Sequence, residues 1–163
     1  MPRLIEWDSL DVRIDGEKVS AMAQEMVAKD PIVERISLRF MNGLLRVEGA
    51  VRKLIVIPFS VDITHFEANG TTIKVPLGRM TAGPIPIPTL LVGLLRQQFP
   101  AEIGFEPPAT LVISLERFLP EFVSADIQKI WIIDGGLAVT LGRGGADLPP
   151  GFKPGGMDGN GVR

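Results

Sequence analysis

The chain has 163 residues, 45% of them hydrophobic and 22% charged, and a net charge of −2. That length suits one domain with its own core. The slightly acidic balance excludes a general nucleic-acid binder, which needs a basic footprint. The absence of cysteine excludes a disulfide framework and a thiolate metal site.

Near the N-terminus Arg3, Glu6 and Asp8 interrupt any apolar run of the kind a signal peptide carries. Leu10, Val12 and Ile14 alternate with Asp11, Arg13 and Asp15, which predicts a short strand. Asp15 then reads as a helix N-cap, with Glu17 in the first turn where negative charge suits the helix dipole. The predicted helix runs from Gly16 to about Lys29, with Val19, Met22, Ala23, Met26 and Val27 on one face and Asp30-Pro31 as its stop.

Residues 32–51 read as a hairpin around Asn42-Gly43, a strong turn signal. A two-residue loop pairs Phe40 with Leu45, Leu38 with Val47 and Ile36 with Gly49 on one apolar face. Arg35, Ser37, Arg39, Arg46 and Glu48 take the other face, and Arg39 falls opposite Arg46, a mildly destabilising like-charge pair. Residues 52–77 read as a second hairpin, in which Phe59, Val61 and Ile63 alternate with polar residues. A three-residue loop, Ala68-Asn69-Gly70, would pair Ile63 with Val75, Val61 with Leu77 and His65 with Ile73. Leu54–Ile57 is apolar on both faces, so it is either buried on both sides or an exposed patch.

The stretch Thr81–Phe99 combines a proline-stiffened extended lead (Pro84, Pro86, Pro88) with a leucine-rich helix. Ile87, Leu90, Leu91, Leu94 and Leu95 form a wide apolar stripe and Val92 lies off it, so this helix needs wrapping by other elements. It is too short and too interrupted for a membrane span of about 20 apolar residues. A turn-rich connector over 100–108 follows, then a strand at Thr110–Glu116, an ambiguous stretch at Phe118–Ala125 broken by Pro120, and a hairpin over Asp126–Leu141 with Asp134-Gly135 at its turn. Ile132 then faces Leu137, Ile130 faces Val139, and Trp131 sits beside Ala138 on the opposite face. Residues 1–142 are expected to form the domain. Residues 143–163, rich in glycine and proline, are expected to form a tail.

No pattern carries catalysis. His65 is the only histidine, on a mainly apolar strand face, and reads as a partly buried structural residue rather than a general base. The carboxylates show no metal-ligand spacing, and Gly142–Gly145 lacks the spacing and the following helix of a phosphate loop. The chain is therefore expected to be no enzyme and to need no metal or cofactor. Arg35, Arg39 and Arg46 share one face with Glu48 and read either as a solvated face or as an anion site for lipid headgroups. Phe59, Val61, Ile63, Ile87, Leu91, Leu94, Leu95 and Phe99 are the candidate lining of an apolar slot between the leucine helix and the strands. Met22 and Met26 add side chains able to re-pack around variable ligands.

One order of elements recurs in a known family: a strand and amphipathic helix, long Asn-Gly hairpins, a proline-rich lead into a leucine helix, and a closing Asp-Gly hairpin. The carriers are Ile36–Val51, Pro58-Phe59 before a long strand, and Ile132–Leu137. In these the chain resembles the TULIP (tubular lipid-binding) superfamily, in particular LmeA-like bacterial phospholipid-binding proteins. The resemblance implies an α+β fold, a strongly curved antiparallel sheet of meandering hairpins wrapped around one long helix, plus an N-terminal amphipathic helix. It implies lipid between helix and sheet and no catalytic residues. Against the envelope-located relatives, which usually carry a signal peptide or lipoprotein cysteine, residues 1–9 are expected to form no signal peptide, the sequence holds no cysteine, and a Gly/Pro tail is expected in addition. The expected partner is a lipid or fatty-acid-like ligand, with an anionic membrane surface as a further one and no nucleic acid. The expected place is the cytoplasm or its membrane periphery. The alternative is a structural module with a dry core that self-associates as a homo-oligomer through an apolar edge, Leu54–Ile57 and the Pro84–Pro88 rim.

Overall fold

The structure, a computed structural model, describes residues 3–89, 92–93, 103–117, 119–149 and 151. Among these the chain is mostly antiparallel β-sheet with a single α-helix. Strands β1 (Ile5–Trp7) and β2 (Leu10–Asp15) lead into α1 (Gly16–Val27). The Asp15 carboxylate caps the helix, its Oδ1 accepting from the Glu17 and Lys18 backbone N–H groups at 2.9 and 3.2 Å. The helix ends two residues short of the predicted Lys29. Beyond it the Asp30 carboxylate accepts from Ile32 and Val33 N–H groups at 2.7 and 3.0 Å, turning the chain into the next strand. The expected apolar stripe is narrower than its spacing suggested. Val19, Ala23 and Val27 are half-buried, whereas Met22 and Met26 are exposed.

Strands β3 (Val33–Met41) and β4 (Leu44–Arg52) pair in the register expected from Asn42-Gly43, including Arg39 opposite Arg46. Strand β5 (Val56–Ile63) folds directly back onto β4, from Leu45 opposite Ile63 to Arg52 opposite Val56. Its free side takes β8 (Met80–Ala82), which in turn pairs with β9 (Ile85–Ile87). The resulting five-stranded sheet has the order β3-β4-β5-β8-β9. The second predicted hairpin is therefore corrected. Both edges of β5 are filled, by the strand before it and by β8, so none is left for β7 (Thr72–Pro76). Instead β7 pairs with β6 (Glu67–Asn69) across the turn residues Gly70 and Thr71, placing Ala68 opposite Ile73. A two-residue turn makes β6 the partner of lowest closure entropy for that edge of β7, whereas β8 and β11 are more distant in sequence than the pairing they displace.

The other side of β7 takes β11 (Thr110–Ser114), and β10 (Ile103–Glu106) completes a second sheet of order β10-β11-β7-β6. The predicted connector over 100–108 thus contains a strand. A 3-10 turn at Leu115–Arg117 precedes the last hairpin, β12 (Val123–Ile133) and β13 (Gly136–Ala146). Its Ile132–Leu137, Ile130–Val139 and Trp131–Ala138 pairs are those expected from Asp134-Gly135. In this third sheet β13 is central, with β12 on one side and both β1 and β2 on the other. Residues 143–146, expected in the tail, belong to β13. Gly144 and Gly145 sit where β1 and β12 close on it, and a Cβ on Gly144 would reach the Trp7 ring at 2.8 Å. Of the rest of the expected tail, residues 150 and 152–163 lie outside the described residues.

All three sheets contribute to one core: Phe40, Leu45 and Ile63 from the first, Ile73 and Val75 from the second, Ile127, Ile130, Ile132 and Val139 from the third. Two turn tips lock together, Gly43 N–H donating to Ile132 O, Gly135 N–H to Phe40 O and Gly16 N–H to Gly135 O. A second cluster joins Met80, Val92 and Ala109 with Val61, Leu77, Ile87 and Phe105.

Candidate functional site

The five-stranded sheet carries the candidate site because alternation sorts its residues into two faces. One face holds the rows Ile36–Gly49–Phe59–Ala82 and Leu38–Val47–Val61–Met80. The other holds Ser37–Glu48–Ser60–Thr81 and Arg39–Arg46–Asp62. On the second face Ser60 Oγ and Thr81 Oγ1 lie 2.7 Å apart and share a hydrogen bond.

The arginine row is internally balanced. Arg46 donates from Nε and Nη2 to the two Asp62 carboxylate oxygens at 2.7 and 3.0 Å, a bidentate pair. These hydrogen bonds hold the Asp62 carboxyl below the ordinary carboxylate range and raise the Arg46 guanidinium above its usual value. Arg39 reaches Glu48 at 3.4 Å. The two carboxylates flanking Arg39 and Arg46 thus offset the like-charge pairing. Of the three expected headgroup arginines, only Arg35 has no ion pair among the described residues.

A half-open groove of about 740 Å³ lies between the C-terminal half of α1 and strands β3, β4, β5 and β8. Gln24, Val27 and Ala28 border it from the helix, and both alternation sets of the sheet border it: Ile36, Gly49 and Phe59 of the first face, and Arg35, Ser37, Glu48, Pro58, Ser60 and Thr81 of the second, with Glu34 beside them. Gly49 shapes it: a Cβ there would lie 2.6 Å from Phe59 Cζ, so the glycine leaves the ring room to lie against β4. The groove ends next to the β3 edge, which α1 covers, with Ser20 Oγ accepting from Leu38 N–H at 3.2 Å.

Of the expected slot residues, Phe59 lines this groove. Ile63 is buried in the main core, Val61 packs against both clusters, and Ile87 packs against Met80, Val92 and Ala109. Leu91, Leu94, Leu95 and Phe99 lie outside the described residues. The groove residues missed by the sequence reading are Val27, Ala28, Ile36 and Pro58. The half-buried helix positions Val27 and Ala23 carried a signal, but only the docking of α1 along β3 says what they face.

His65, expected to be partly buried on a strand face, is instead exposed in the link between β5 and β6, its Nδ1 3.2 Å from Thr64 Oγ1 and its Nε2 3.9 Å from Glu67 Oε1. Among the described residues no group of three His, Asp or Glu side chains converges as a metal site would need. Nor is any helix of those residues long and apolar enough to cross a membrane. No family model, curated protein or solved structure matches the chain.

Proposed function

We propose that the chain is a non-catalytic binder of a lipid or another long apolar ligand, held in the groove between α1 and the five-stranded sheet. The observation that carries this is the groove itself. At about 740 Å³ it falls in the range of small-molecule sites, and it combines an apolar lining with a few polar groups, as such sites do. A chain laid against Val27, Ile36 and Phe59 gains about 0.8 kcal/mol for each methylene it buries. Arg35 borders the groove from the alternation set opposite to Ile36 and Phe59, has no ion pair among the described residues, and is the free cation at that border for a headgroup phosphate or carboxylate.

This reading moves the ligand away from the slot expected beside the leucine helix, since Val61, Ile63 and Ile87 are engaged in packing. The TULIP-like hairpin order supports the same class of ligand, with a curved sheet around a helix as the finer form of the fold. Mass spectrometry of the purified chain under native conditions, with lipid extraction, tests the proposal. The expected result is a co-purifying lipid, and displacement of an environment-sensitive dye by fatty acid or phospholipid that weakens in Ile36→Asp. No bound lipid and no displacement would remove the reading.

A further inference from the structure

We propose that the β4–β5 hairpin tip is a docking element for an anionic lipid bilayer. Leu54 is fully exposed and Ile55 is 69% exposed, and Val56 and Ile32 beside them are also exposed. The Arg52 N–H donates to Ile32 O at 2.7 Å, so the start of β3 and the hairpin form one end of the sheet. Leu54, held out on the turn, covers no surface of this chain, and Ile55 covers little. Their projection would let them enter the acyl region while the backbone stays at headgroup depth.

The charge pattern selects the occupant. The segment from Arg52 to Ser60 contains Arg52 and Lys53 and no acid. Glu34 reaches Arg52 at 3.3 Å and the Asp30 carboxylate accepts from Ile32 N–H at 2.7 Å, its charge turned to the start of β3, while Lys53 is in no ion pair among the described residues. A cation beside an apolar tip matches an anionic headgroup layer. A second copy of the chain fits less well. Stable dimers bury roughly 20–30 residues a side, and this tip offers a handful. The other free edge nearby, β9, resists strand addition. Pro84, Pro86 and Pro88 share one parity, so the edge away from β8 carries nitrogens that cannot donate.

The inference goes beyond the groove reading and does not depend on it. The test is flotation of the full chain with vesicles of phosphatidylcholine plus phosphatidylglycerol, against phosphatidylcholine alone. The chain is expected to bind the anionic vesicles more tightly and to lose binding as salt rises. Leu54→Ser with Ile55→Ser should weaken binding about 100-fold. Lys53→Glu, which leaves the apolar tip intact, should weaken it at least about fivefold. Both sites are exposed, and circular dichroism checks that each variant folds. Trp fluorescence of Leu54→Trp should be quenched by brominated acyl chains. Three results would overturn the inference: no vesicle binding by the wild type, undiminished binding in both tip variants, or a lipid-free dimer that the double serine variant dissolves. Vesicle docking without extractable lipid would leave the tip standing and remove the groove reading. Extractable lipid without docking would do the reverse.

Discussion

Gly49→Ala is the sharpest perturbation the structure offers, because one methyl group meets both the sheet and the groove. The added Cβ would lie 2.5 Å from the Arg35 carbonyl oxygen and 2.6 and 2.8 Å from two Phe59 ring carbons. Ordinary carbon contacts sit at about 3.5–4.0 Å, so the ring must retreat by about 1 Å and β3 must shift against β4. Overpacking of this kind typically costs about 1–3 kcal/mol. The lower chain entropy of alanine in the unfolded state returns about 0.4–1 kcal/mol of that. At about 2–4 °C per kcal/mol for a domain of this size, a melting temperature several degrees lower is expected by differential scanning calorimetry. Phe59→Leu should relieve the ring contact and leave the carbonyl contact. The double variant should therefore be more stable than the sum of the singles predicts, with a coupling of about 0.5–3 kcal/mol. Dye binding should weaken in Gly49→Ala, since the displaced ring is part of the groove lining. A Gly49→Ala chain more stable than wild type, or strict additivity with Phe59→Leu, would refute the account of how Gly49 seats the ring.

Gly135 adopts φ +79° with open space around its Cα, so Gly135→Ala should cost about 1–2 kcal/mol from backbone strain alone, read by urea denaturation. Ser20→Ala removes the acceptor for Leu38 N–H at the β3 edge; a loss of about 0.5–1.5 kcal/mol is expected, with faster hydrogen exchange at Leu38. Asp62 titrates lower in the folded chain than in the unfolded one, so its contribution is present above the ordinary carboxylate range near pH 4 and is lost as pH falls through the depressed folded value. The stability gap between wild type and Asp62→Asn should therefore be widest at neutral pH and shrink in acid, as followed by denaturant midpoints across pH.

Much of the local architecture is legible in the residues themselves. Asn42-Gly43 and Asp134-Gly135 set the registers of their hairpins because a two-residue turn leaves no freedom in the pairing and alternation checks it on both faces. Asp15 marks the start of α1 because a carboxylate satisfies N–H groups that a helix start leaves open. Legibility stops where a strand must choose among distant partners. The alternation in β5 and β7 is real, yet it is equally compatible with their pairing together and with the observed choice of β4, β8, β6 and β11. Gly144 and Gly145 misled in the opposite sense. Their composition resembles a tail, but small residues are what the close approach of the Trp7 ring, the Arg3 side chain and the neighbouring strand backbones to β13 leaves room for.

The candidate site shows the same division. Phe59 and Arg35 could be picked out by type and position, whereas Ile63, equally apolar and two pairs along the same strand, is sealed inside the core. Arg46 looks as available as Arg35 in the sequence, but sheet pairing brings Asp62 opposite it and commits its charge. Short-range preferences (turn chemistry, capping and alternation) determined the elements, their faces and two hairpin registers, because those depend on neighbours within a few residues. Tertiary structure alone decided which apolar residues are covered and which are left to line a groove or crown a tip, because burial depends on what the rest of the chain lays across each face.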